Sequence, residues 1–308
     1  MPFDGPVQGS CVGYEIRSRL SFATLRRGGG VPLYVDERAD LAAEGELLAT
    51  WQPRPGNPFH GRLVKDGSTY AFWASDAGWY VIDPSVPSIR VTAGVEPLRR
   101  ELRLFGVPAA VCAFEGGDIS IHASAVEVHG RGILLAGPSR SGKTTLAAAF
   151  AQAGHRLLSE DTTRCSTTGP PSIFPGPAVV RLRPDVAVSL RMSGASAAGG
   201  AESDEGRVPL LFDESLRGDG RPVPLAAILL LRAAAEGALL QPVPAAEAVR
   251  DVFALTFRFP TDASRAACFA RVTDVMALVQ TLGLHRPMRI ESLAEVVRLV
   301  ERHLAVAE

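Results

Sequence analysis

Apolar and polar positions along this chain change period repeatedly, and each change marks an expected element. Residues 132–136 (Gly-Ile-Leu-Leu-Ala) carry no polar side chain, as expected for a short strand covered on both faces of a sheet. Residues 144–153 are alanine-rich and place Leu146 and Phe150 four apart, on one helical face. Upstream, residues 119–128 read as extended and 129–132 as a turn, so a hairpin feeds the 132–136 strand. A short strand is expected over 156–159 after Gly154, and a second buried strand over 225–231. Helical spacing predicts helices over 245–255, 263–282 and 291–304, the last with Leu293, Val296, Val297 and Val300 on one side. Strands alternating with helices predict an α/β core.

Residues 1–108 have a different texture. They hold Trp51, Trp73 and Trp79, the turn-rich segment 53–58, and short alternating runs at 70–73 and 79–82. This predicts a smaller β-rich N-terminal domain, ending in a helix over 96–104, whose tryptophans are expected to form its core or to help recognise an acceptor. Residues 108–114 read as an apolar connector or helix into a second domain over 109–308, and segment 193–206, without an apolar anchor, reads as a mobile loop.

Of 308 residues, 46% are hydrophobic and 21% charged, which fits a folded chain rather than a disordered one. With a net charge of -1 and scattered basic residues, no stripe is present to neutralise a run of nucleic-acid phosphates. The pairs Arg26-Arg27 and Arg99-Arg100 read as solvated surface. Segment 224–231 is too short to span a bilayer, and the opening Met-Pro-Phe-Asp-Gly lacks a signal's basic and apolar blocks, so the expectation is a cytoplasmic protein with neither membrane nor nucleic-acid partners. Cys11, Cys112, Cys165 and Cys268 form no C-x-x-C pair, which argues for buried apolar residues rather than zinc ligands or disulfides.

The candidate chemistry concentrates between the 132–136 strand and the following helix. Gly137-Pro138-Ser139-Arg140-Ser141-Gly142-Lys143-Thr144, followed by Thr145, fits G-x-x-x-x-G-K-[ST]. Glycines let the backbone close around phosphate oxygens and present N–H donors at a helix N-terminus. Lys143 would meet the β- and γ-phosphates and the Thr144 hydroxyl would bind Mg2+, so ATP and Mg2+ are the expected ligands. Ser159-Glu160-Asp161, at the carboxyl end of the expected 156–159 strand, supplies acids to the same edge, where an extended backbone would aim one at metal and the other at substrate. His122 is a further candidate. His129 and His155, at a turn and after a helix-ending glycine, read as structural.

His122-Ala-Ser-Ala-Val, the glycine loop, and Gly154-His-Arg-Leu-Leu-Ser-Glu160-Asp161 together resemble the core of the HPr kinase/phosphorylase family and its related serine kinases, over about forty residues. The resemblance implies a fold similar to ATP-dependent phosphoenolpyruvate carboxykinase and transfer of the γ-phosphoryl group to a serine hydroxyl. It implies Asp161 as the acceptor's base with His122 near it, Lys143 and Thr144 on phosphate and Mg2+, and Glu160 as a metal ligand where the family has aspartate. The family's rings imply a homo-oligomer, although the sequence itself leaves the assembly open. The downstream Glu-Ile-Arg-Gly signature is missing; Pro175-Gly176-Pro177 and Val180-Arg181-Leu182-Arg183-Pro184 stand in that region. This points to the related kinases, some of which modify ribosomally made peptides such as lasso-peptide precursors, with Arg181 or Arg183 as a phosphate partner or a solvated strand residue. A nucleotide-binding regulator and a small-molecule kinase are the rival readings.

Overall fold

A computed structural model describes residues 5–53, 57–198 and 206–306, and it is a mixed α/β structure with three sheets. The first sheet uses β1 (Val7–Cys11), β2 (Tyr14–Arg17), β3 (Val31–Arg38), β4 (Glu46–Trp51), β5 (Gly61–Asp66), β6 (Thr69–Ala74), β7 (Gly78–Asp83) and β8 (Ser88–Thr92), in the order β1-β2-β3-β8-β7-β6-β5-β4. Alternation between its two faces is clear in β2, β3 and β8, whereas β1 and β4 carry register shifts. In β7, Tyr80 and Ile82 enter the large core while Trp79 and Val81 join a small outer cluster that Trp73 also packs against. The segment expected to turn at 53–58 lies partly outside the described residues.

Two helices follow, α1 (Pro97–Leu104) and α2 (Val107–Glu115). Glu96 caps α1 by accepting from the N–H groups of Leu98 and Arg99, and proline follows at the first helical position. Helix α2 is apolar almost all round and buries Val111, Cys112 and Phe114 in the same core as the first sheet. That core extends onward to Ile119, Ile121 and Leu134, so it crosses the boundary expected near residue 108.

The second sheet is built from β9 (Ile119–Ile121), β10 (Ala123–Val128), β11 (Arg131–Ala136), β12 (Arg156–Ser159), β13 (Thr163–Cys165) and β14 (Ser172–Phe174), with α3 (Lys143–Gln152) between β11 and β12. A three-stranded sheet contains β15 (Val179–Leu182), β16 (Ala195–Ala197) and β17 (Val208–Phe212), with α4 (Pro184–Leu190) after β15 and α5 (Glu214–Arg217) after β17. The remaining strands, β18 (Val223–Ala233), β19 (Leu239–Pro242) and β20 (Gln280–Arg286), belong to the second sheet. Helices α6 (Ala245–Leu255), α7 (Asp262–Leu278) and α8 (Leu293–Val306) complete the chain.

At the centre of the second sheet β11 pairs antiparallel with β10 and parallel with β18, which pairs parallel with β20. Ile133 and Leu135 pack among α3, α4 and α8, whereas Leu134 and Ala136 face the core shared with α2, α6 and α7. All four are fully buried, as a strand covered on both faces requires. The β10–β11 turn is His129-Gly130, both with positive φ (51 and 75°), the geometry that matches hairpin twist. His155 Nε2 donates to Glu301 Oε1 across 2.7 Å and its ring rests against Phe150, so it ties α3's end to α8.

Several expectations are corrected. The helix expected over 263–282 ends at Leu278, because the chain turns extended at Val279 and Gln280 onward is captured as β20 by parallel pairing with β18. Within the loop expected at 193–206, residues 195–197 add an edge strand to β17; residues 199–205 lie outside the described residues. The extended run 119–128 is two strands, interrupted at His122, whose N–H donates to the Leu255 carbonyl. Neither arginine pair is wholly solvated. Arg100 is buried and donates to the Ser21 carbonyl, and Arg26 is fully buried. All four cysteines are buried and free. No described helix is long and apolar enough to cross a membrane.

Arg26 fastens the two large sheets together. Its guanidinium donates to the carbonyls of Gly176 (2.8 Å), Leu157 (3.0 Å), Leu158 (3.2 Å) and Arg217. A Cβ at Gly176 would stand 2.9 Å from the Ser159 hydroxyl and displace it from the Thr162 carbonyl to which it donates. Glu101 fixes the adjoining backbone by accepting from the Ala23 and Thr24 N–H groups and the Thr24 hydroxyl. Arg26→Met keeps the apolar stem but strips several buried carbonyls of their donors, each worth ~1–3 kcal/mol. The variant should therefore lose about 3 kcal/mol or more of unfolding free energy in a denaturant titration; a loss below about 1 kcal/mol would show that water satisfies those carbonyls.

Candidate functional site

The turn from β11 into α3 is held from both sides. Gly137 (φ 158°) and Gly142 (φ 81°) take backbone conformations that suit glycine, and Arg140 (φ 66°) also lies in the left-handed region. Beneath the turn, Lys143 is buried and its Nζ donates to the carbonyls of Gly137 (2.9 Å) and Pro138 (3.0 Å). Arg286, at the end of β20, is also buried and donates to the carbonyls of Ser141 (2.9 Å) and Gly142 (3.3 Å). A methyl group on Gly142 would run into that guanidinium. With its carbonyls engaged by two cations, the loop turns its Pro138-Ser139-Arg140 crest to solvent. The first N–H groups of α3 have no intrahelical acceptor, the usual basis for anion binding. The Ser141 hydroxyl is buried without a partner.

Glu160 and Asp161 follow β12, which runs antiparallel to β10 and therefore in the same sense as β11, so they reach the same edge as the loop. Glu160 is almost enclosed, its side chain 5% exposed, and it accepts from the Thr144 hydroxyl at 3.0 Å and from Arg181 Nε at 2.9 Å. Asp161 is half-open, 46% exposed, and pairs with Arg181 at 3.2 Å and His122 Nδ1 at 3.3 Å. The two acids diverge because Asp161 takes a left-handed backbone (φ 71°) rather than the extended one expected, a strained geometry that aspartate tolerates better than most residues. Arg181 therefore bridges the acids from β15, and Arg207 stands 3.9 Å from Glu160. Arg183 points away, ion-paired with Asp185 at the start of α4.

Charge balance follows from these contacts. Desolvation pulls the Lys143 ammonium down, against the opposing pull of Asp161 and Glu160, and leaves it below the ordinary lysine range. Desolvation also opposes ionisation of Asp161, but Arg181, followed by His122 and Lys143, outweighs it and holds the carboxyl below the usual aspartate range. Glu160, more than any other neighbour, drives the Arg181 guanidinium up, so this arginine stays charged.

Residues 137–145, Glu160, Asp161 and His122 are thus gathered at one sheet edge. A hydroxyl (Thr144) beside a carboxylate (Glu160) offers hard oxygen donors of the kind Mg2+ takes, so the donor set fits that ion. His129 and His155 lie together at 6.0 Å between ring centres, beyond the opposite end of β11, where the hairpin turns. Sequence reasoning missed Arg286 and Arg207. Arg286 closes an apolar strand segment immediately before Pro287, and a charge surviving in such a setting was its one available signal.

No family model matches the chain, and no curated protein matches it. Among solved structures it is similar to an Hpr(Ser) kinase/phosphatase from Coxiella burnetii, at 13% identity and a TM-score of 0.32, over 61% of this chain and 97% of that one.

Arg181→Met removes the foremost charge partner of Asp161, so the Asp161 carboxyl should titrate at higher pH than in wild type, read by carboxyl-carbon NMR. The sign for stability follows. Because the native pKa lies below the unfolded value of ~3.9, this group's contribution is present above the unfolded value and lost as pH falls through the native one. The variant should lose part of that acid-side dependence, whereas an unchanged Asp161 titration would exclude Arg181 as the controlling charge.

Proposed function

We propose that the protein is an ATP-dependent kinase of the HPr-kinase-like phosphate-loop type, which transfers the γ-phosphoryl group to a hydroxyl, most simply a serine of a protein or peptide. One observation carries the reading: Thr144, Glu160, Arg181, Asp161 and His122 form an unbroken chain of contacts of 2.9–3.3 Å beside the buried Lys143. A site that only binds nucleotide needs the loop and a metal ligand. It has no use for a second, half-exposed carboxylate kept ionised by an arginine.

In this reading the loop N–H groups and Lys143 hold the β- and γ-phosphates. Thr144 and Glu160 would hold Mg2+, which supplies positive charge to the phosphate oxygens. Asp161, ionised and oriented by Arg181 and His122, accepts the proton of the acceptor hydroxyl as the new oxygen–phosphorus bond forms and the bond to ADP breaks. Arg181 lies where it can follow the charge of the transferring group, since it already spans both acids. The residues 1–108, joined to the site through Arg26, are proposed as the acceptor-recognition domain.

General-base assistance is worth about 10² to 10⁴ in rate, so Asp161→Asn should slow transfer of label from γ-labelled ATP by that factor while ATP still binds. Lys143→Ala should weaken nucleotide binding and transfer together. Full turnover in the asparagine variant would remove Asp161 from the role, and nucleotide binding without label transfer to any hydroxyl acceptor would leave a regulator instead.

A further inference from the structure

A cavity of about 350 Å3 lies between the first sheet and the α6–α7 connection. Trp51 and Leu63 from β4 and β5 form one wall, and Phe257 and Phe259 form the other. Among the described residues its charged lining side chains are Arg258 and Arg265. The volume falls within the ~300–1,000 Å3 of sites that take small ligands, and an apolar body with few polar groups is their usual make-up.

Its walls are aromatic and set for another ring. Trp51 meets Phe72 edge-on at 5.4 Å and Phe257 meets Phe259 edge-on at 5.5 Å; Phe259 is buried, stacked on Tyr70 and edge-on to Phe114, so the half-buried Trp51 and Phe257 are the rings left to meet a further partner. The polar side is cationic. Arg258 donates to the carbonyls of Phe253 and Thr256 and stacks on Phe253, with no carboxylate paired to it among the described residues. Arg265 pairs with Asp262 at 2.9 Å, but Asp262 is 99% exposed, so that contact is weak and exchangeable.

The wall that carries Phe257 is also continuous with the candidate active site. Phe257 N–H donates to the Ser120 carbonyl and His122 N–H to the Leu255 carbonyl, both at 2.8 Å, and Thr256 bridges to Ile121. The cavity wall therefore lies directly alongside β9, one residue before His122. From these features we propose that the cavity seats an aromatic side chain of the acceptor polypeptide, with a neighbouring carboxylate of that polypeptide drawn to Arg258 and Arg265. This rests on the reading that the protein phosphorylates a polypeptide hydroxyl. It goes further by naming the anchor: an aromatic residue beside an acidic one, near the accepting serine.

The test uses the full chain without nucleotide and titrates blocked tripeptides by saturation-transfer NMR. Acetyl-Phe-Asp-Ser-amide should bind, whereas acetyl-Ala-Asp-Ser-amide and acetyl-Phe-Asn-Ser-amide should each bind about tenfold more weakly, a change of one ring or one charge. Arg265→Gln alters an exposed residue and should weaken only the two aspartate-bearing peptides, by about tenfold, leaving acetyl-Phe-Asn-Ser-amide unchanged; Trp51→Ala should weaken both phenylalanine peptides. ATP affinity measured on the same samples confirms that the variants are folded. No binding at 10 mM (a concentration about tenfold above a weak ~1 mM site), or equal binding of all three peptides, overturns the proposal. N-acetylphenylalanine outcompeting the tripeptide by more than about tenfold overturns the polypeptide occupant in favour of a small acid. The two readings fail separately: label transfer with no peptide binding sinks the anchor alone, and peptide binding with no label transfer to any acceptor leaves the cavity and sinks the kinase.

Discussion

Everything at the candidate site depends on β11 being buried on both faces while pairing parallel to β18. A strand so enclosed cannot turn back locally. It must leave the sheet at its carboxyl end, and the helix that follows has to start there and pack over one face. Ile133 and Leu135 commit one side to α3 and α8, Leu134 and Ala136 commit the other to the shared core, and the chain is left to turn within 137–142. Lys143 and Arg286 stabilise that turn by binding its carbonyls, which leaves its Pro138-Ser139-Arg140 crest facing solvent.

The acid pair is positioned by a second route, through the first sheet. Arg26 binds the carbonyls of Leu157 and Leu158, immediately before Ser159-Glu160-Asp161, and also that of Gly176, which abuts Ser159. The end of β12 is thereby fixed by a residue far away in sequence. Beyond it the chain has freedom only to bend, and the left-handed Asp161 separates the carboxylates so that one faces Thr144 and the other His122. Arg181 spans both carboxylates and is the foremost charge holding Asp161 below the usual aspartate range.

How much of this was legible in the sequence depends on range. The β11–loop–α3 unit could be read because a polar-free run, two glycines and an alanine-rich helix are local signals, and the short strand ending at Ser159 was marked by the flanking Gly154 and the acids. Long-range contacts left no such mark. Arg26 and Arg100 sit in dipeptides that resemble solvated surface, and their burial depends on carbonyls contributed by distant segments. The boundary between α7 and β20 was hidden because Val279 and Leu282 continue a helical apolar pattern, although Val279 turns extended and Leu282 pairs within the strand. Arg181 lay in a segment whose alternation allowed an exposed face, and only the placement of β15 beside β12's end turns it onto the acids.

The proposed function requires the β11–α3 turn and Glu160 together to grip a magnesium-complexed triphosphate. Calorimetry of ATP binding with Mg2+ and with a chelator, on wild type and Glu160→Gln, tests it most directly. The account predicts that Mg2+ strengthens wild-type binding by about tenfold or more and that the substitution abolishes most of this gain. Equal affinity with and without the ion, or no measurable uptake of ATP, would contradict it.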